Sequence, residues 1–173
     1  MKGYFDFFLK YGYTKPMHPK PIPHKHREIK YEAKQQLIPA YDTIPALDVT
    51  GVKRIQAIIV ALLYYARTIN NKILVSLSAA GALQAAANED TSGAIKQILD
   101  YVATYTNGGI FYLAIKMILA DHSDSGFHNE SKGRSRSGAH IVLSENDPEP
   151  RCNGSIFTIS QIFKFFMTSA AEA

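Results

Sequence analysis

The sequence predicts an α+β chain in which helices come first and strands afterwards. Two observations carry this. Between Asp48 and Gly109 apolar residues recur at helical spacing, and after Gly109 the pattern changes to short β-competent runs separated by turn signals. A third observation sets the beginning apart: Pro16, Pro19, Pro21 and Pro23 exclude a helix there and favour an extended, polyproline-like strap. The chain has 173 residues, enough to bury a core, and 46% hydrophobic with 20% charged residues fits a globular protein rather than a disordered one.

In order along the chain, residues 1–14 fit a short amphipathic helix with Tyr4, Phe5, Phe8 and Leu9 on one side. The strap follows, and Lys15, Lys20, Lys25, Arg27, Lys30 and Lys34 make it the most basic part of the chain. It reads as a solvated linker or as a phosphate contact. The region 1–47 is therefore taken as one segment, 48–109 as a helical connection and 110–173 as a sheet domain.

In the middle region, Asp48 or Thr50 caps a first helix. Val52, Ile55, Ile59, Leu62, Leu63, Ala66 and Ile69 then form one buried face. "NN" at 70–71 breaks it, an alanine-rich second helix runs from about Ile73 to Ala87, and "NEDTS" caps a third. Ile95, Ile98, Leu99 and Val102 give the third helix its apolar stripe, and "NGG" at 107–109 ends it. Tyr64, Tyr65, Tyr101 and Tyr105 read as core or edge residues, not base-stacking platforms.

Beyond Gly109, "IFYLAIKMILADHSDSGF" holds the first strand, "HNESKGRSRSG" a polar loop, "AHIVLSE" the second strand and "SIFTISQI" the third. Pro148, Pro150 and the Asn153–Gly154 pair turn the chain between the last two. "TSAAEA" begins a closing helix. Asp121 and Asp124, three apart on one strand, face opposite ways unless a bulge intervenes.

The net charge of +4 is compatible with nucleic acid without demanding it. A lone Cys152 excludes an internal disulfide. No signal peptide is legible in "MKGYFDFFLKYGY", and "IQAIIVALLYYA" is shorter than the roughly 20 apolar residues a bilayer requires. The expectation is a chain that is neither secreted nor membrane-bound. His18, His24 and His26 lack the companion ligands of a familiar metal motif. His122 beside Asp124 reads as an ordinary strand histidine.

The combination "MILADHSDSGF", "SKGRSRSGAHIVLSE" and "NGSIFTISQIFKFFMTSAAEA" resembles the ribonuclease H region of copia-type retrotransposon reverse transcriptases. Upstream, "LLYYAR" and "ILDYVATYT" are similar to that family's helical connection, and "MKGYFDFFLKYGYTKP" to its polymerase end. The resemblance implies an incomplete ribonuclease H-like sheet of three strands and the start of a helix. It also implies Asp124 and Glu172 as catalytic metal ligands, with Mg²⁺ as cofactor. Two such ions about 3.5–4 Å apart would promote cleavage of RNA in an RNA–DNA hybrid. Lys132, Arg134 and Arg136 would contact the hybrid backbone, which is read by shape, phosphates and 2′-hydroxyls.

The partners implied are nucleic acid and the remainder of a polyprotein, in the cytoplasm or a virus-like particle. The family's Tyr-x-Asp-Asp polymerase box and later ribonuclease H acids have no counterpart in the sequence. The chain is therefore expected to be a catalytically silent fragment or a decayed copy that stops one residue after Glu172. Two other readings remain open, a non-catalytic nucleic-acid-binding module and a purely structural remnant.

Overall fold

The structure is a computed structural model, and it describes Asp6 and residues 8–25, 44–130, 133–147 and 153–165. The expected N-terminal face residues Tyr4 and Phe5, the later strap, Pro148 and Pro150, Cys152 and the closing "TSAAEA" helix lie outside the described residues. The protein is α+β, with helices preceding a three-stranded antiparallel sheet of order β1-β2-β3. It divides into two compact units, one of helices up to Gly108 and one containing the sheet from Gly109 onward.

In the helical unit, α1 spans Val49–Thr68, α2 Leu74–Gly81 and α3 Glu89–Thr104. Asp48 caps α1 by accepting the Gly51 amide at 2.7 Å. Ile55, Ile58, Ile59, Leu62, Tyr65 and Ala66 are its buried residues: Ile58 and Tyr65 join the expected face, while Val52, Leu63 and Ile69 are only partly buried against the core. α1 has the length and mean hydropathy, 1.3 over an 18-residue window, of a membrane-crossing helix. Its apolar side is nonetheless occupied by this unit's own core.

The expected second helix is broken into pieces. A 3-10 turn at Asn71–Ile73 leads into α2, and another at Gln84–Ala86 follows it. Gly81 is a poor helix former, and beyond it the Leu83 amide bonds the Ala80 carbonyl, three residues back, instead of continuing the α pattern. α3 opens with a capping box: the Asn88 side chain takes the Thr91 amide at 3.0 Å, and the Thr91 hydroxyl accepts the Asn88 amide. It closes at Thr104, ahead of the expected "NGG", where the Tyr105 amide reaches the Tyr101 carbonyl.

The described part of the strap belongs to this helical unit. Tyr13 donates its hydroxyl to buried Asp100 at 3.0 Å, and Lys96 donates to the same carboxylate at 2.9 Å. Farther on, the Lys20 amide bonds Thr104 Oγ1, Gln97 bonds the Ile22 carbonyl and His24 Nδ1 meets Ser76 Oγ at 3.2 Å. The strap through Lys25 is thus anchored on α2 and α3, with its backbone polar groups partly satisfied by helix side chains. A free linker would need no such bonds.

In the sheet unit, β1 spans Ile118–Glu130, β2 Arg134–Ser144 and β3 Ser155–Ile162. Both neighbouring pairs are antiparallel. The expected first strand does not begin at Ile110. Leu113 instead gives its amide to Asn153 Oδ1 at 2.8 Å, Tyr112 donates to the Ser155 carbonyl, and Met117 takes φ 61°, which ends extended pairing before Ile118.

The expected polar loop at 128–138 is likewise mostly strand. A bulge between Gly126 and Glu130 absorbs the register shift, with His128 at φ 50°. Side chains hold it: the His128 amide donates to Ser135 Oγ and the Arg136 amide to Asn129 Oδ1. Gly133, at φ 62°, supplies the left-handed residue the tightened connection needs.

Candidate functional site

Strand alternation and register decide which side chains share a face. His122 lies opposite His140, and His140 opposite Thr158; Asp124 lies opposite Gly138, and Gly138 opposite Ser160. One face therefore carries His122, Asp124, Gly138, His140, Thr158 and Ser160, polar at its centre, with Ala120 and Val142 beside them. The other carries Leu119, Ile141, Leu143, Phe157 and Ile159 together with Asp121, Ser123, Ser125, Ser137 and Gln161. Asp121 and Asp124 do face opposite ways, because the bulge lies beyond both of them. A shallow, open depression is lined by His122, Asp124, Gly138, His140 and Thr158 together with neighbouring strand residues.

Asp124 is exposed at the centre of this region, and its Oδ1 accepts the Ser125 amide at 2.8 Å. Gly138 opposite it has no side chain to fill the space. His140 Nδ1 lies 3.4 Å from Thr158 Oγ1, whose hydroxyl donates to Ser155 Oγ at 2.9 Å. At the bulged end, Arg136 forms an ion pair with Glu130 and donates to Ser160 Oγ at 2.9 Å.

These placements separate the expected site residues. Asp124 stands on the polar face, whereas Glu172 and Lys132 lie outside the described residues. Arg134 and Arg136 are half-buried members of β2, not loop cations, and the guanidinium of Arg136 is already engaged by an acid and a hydroxyl. His140 was not anticipated. The register of β1 on β2 sets it across from His122.

The donor set bears on Mg²⁺. A hard cation takes carboxylate, carbonyl and water oxygens. The polar face offers Asp124 flanked by two imidazoles, and no group of three His, Cys, Asp or Glu gathers among the described residues. Of the two acids expected to hold Mg²⁺, Asp124 is described and Glu172 lies outside the described residues. Comparison with protein-family models, with curated proteins and with solved structures finds no match for this chain.

Proposed function

We propose that the chain is the connection and early ribonuclease H region of a copia-type retrotransposon polyprotein, whose parent cleaves RNA in RNA–DNA hybrids. The observation that carries this reading is Asp124, exposed on the polar face of the first strand of an antiparallel meander, within "HSDSGF". The order of a helical unit followed by a sheet unit supports it. In this proposal the chain alone is catalytically silent, because the later acids of the ribonuclease H set have no counterpart in the sequence. Glu172 would supply a second acid from the closing segment.

The test is hybrid cleavage in Mg²⁺ by this chain and by a fusion carrying the rest of a copia-type ribonuclease H domain. The fusion should cut, the chain should not, and Asp124→Asn or Glu172→Gln should abolish cutting. A folded but inactive fusion overturns the reading.

A second reading, a nucleic-acid-binding module without chemistry, is favoured by the basic residues of the sequence around the β1–β2 connection. It expects hybrid binding that weakens steeply with salt and is indifferent to Asp124→Asn.

A further inference from the structure

We infer that His122 and His140 form a cross-strand two-imidazole site for a borderline divalent cation of the zinc or copper class. This goes beyond the proposed nuclease reading and does not depend on it. The two residues are directly opposed on adjacent antiparallel strands. Directly opposed residues have Cβ atoms about 4.5–5.5 Å apart, within reach of a shared ligand. Zinc–imidazole bonds of about 2.0–2.1 Å place two nitrogens of a tetrahedral site roughly 3.3 Å apart. Two rings rising side by side from such a pair can meet that spacing without moving the backbone.

The surroundings favour a cation at this place. Thr158 Oγ1 lies 3.4 Å from His140 Nδ1 and 2.9 Å from Ser155 Oγ, so it is placed to accept an Nδ1–H from His140, the tautomer that leaves the Nε2 lone pair to act as ligand. Such an orienting partner is the usual companion of a metal-binding imidazole. His122 is exposed and free to choose the matching rotamer. Gly138 keeps the neighbouring position open, and Asp124 on the same face adds negative charge. At the bulged end of the face, Arg136 is paired with Glu130.

With no third His, Cys, Asp or Glu gathered with the pair among the described residues, water completes the coordination. Imidazole nitrogens select zinc, copper or nickel over magnesium. Bound metal would tie β1 to β2 and so stabilise the hairpin.

The experiment uses the full chain with His18, His24 and His26 replaced by Gln, which removes the competing strap histidines. Zn²⁺ is titrated by calorimetry, and Cu²⁺ is followed by electron paramagnetic resonance for nitrogen coordination. One ion should bind per chain with a two-nitrogen signature. His122→Asn and His140→Asn should each weaken binding at least about tenfold, Thr158→Val about tenfold, and His128→Asn should leave it unchanged. Excess Mg²⁺ should not compete. Because His122 is exposed, His122→Asn carries the test even where His140→Asn fails to fold. Unchanged affinity in His122→Asn, or loss of all binding once the strap histidines are gone, overturns the inference. Hybrid cleavage by the fusion and Zn²⁺ affinity of the chain are separate readouts, so either reading can fail alone.

Discussion

The helical unit and the sheet unit are built on opposite balances of burial. In the first, Phe8, Tyr13 and the apolar faces of α1, α2 and α3 gather into one core, with Leu62, Tyr65, Ala66 and Ile73 all at 0% exposure. In the second, Val142 is the buried apolar residue among those described, joined by buried Ser135, Ser144 and Ser155. Leu119 is 67% exposed, and Ile156 and Phe157 are each 49% exposed. Helices packed face to face bury a stripe from every partner, whereas a single sheet layer holds itself together by its ladder and leaves its faces half open. Stability should therefore reside in helical packing, and chemistry should be sought on the open strands.

The largest expected effect lies in the helical core. Leu62→Ala should cost about 2–5 kcal/mol, while Leu119→Ala on the sheet should stay within about 0.5 kcal/mol. Urea unfolding of both variants checks this, and equal costs would dissolve the contrast between the units.

Next is the anchor just ahead of the strap. Tyr13→Phe should cost about 1.5–3 kcal/mol, since it removes a buried hydrogen bond to the charged Asp100. Burial, then the bond to Asp100 and its charge, raise the Tyr13 hydroxyl well above the ordinary value of 10.0. The folded state thus holds this proton more tightly than the unfolded chain does. Its contribution is full below about pH 10 and is lost as pH climbs toward the raised value. The fall in urea midpoint above pH 10 should be shallower in Tyr13→Phe, though not absent, because burial also raises Tyr101.

On the sheet side, Gly154→Ala should cost about 1–3 kcal/mol by overpacking. A Cβ there would sit 2.5 Å from the Phe111 carbonyl oxygen, a backbone atom that cannot rotate away. Amide hydrogen exchange should show the loss in the sheet unit and not in α1. The smallest effect belongs to a helix end. Asn88→Ala removes half of the capping box and should cost about 0.5–2 kcal/mol, read as a lowered thermal midpoint of the helical unit.

The parts legible in the sequence were those governed by local rules. Asp48 and Asn88 cap their helices because short oxygen-bearing side chains reach the first free amides. Ile95, Ile98, Leu99 and Val102 are buried as their spacing requires. Asp121 and Asp124 part to opposite faces because strand periodicity is two. The misreadings arose where distant groups competed. Residues 110–117 look β-competent, yet Asn153 and Ser155 take their polar groups from across the unit. "HNESKGRSRSG" looks like a loop by composition, yet Ser135, Asn129 and the Glu130–Arg136 pair carry the ladder through most of it.

The candidate site follows the same division. Asp124 was visible from its motif, and the arginines of β2 were visible as charges. That Arg136 is spent on Glu130 and Ser160, and that His140 stands across from His122, depends on register. Residue order was enough for the α+β class, the helix starts and the alternation of faces, since these arise from bonds and sterics within a few residues. Strand pairing, the bulge at His128 and the meeting of two histidines needed the folded chain. They arise between residues far apart in sequence, where a shift of one position turns every side chain to the other face.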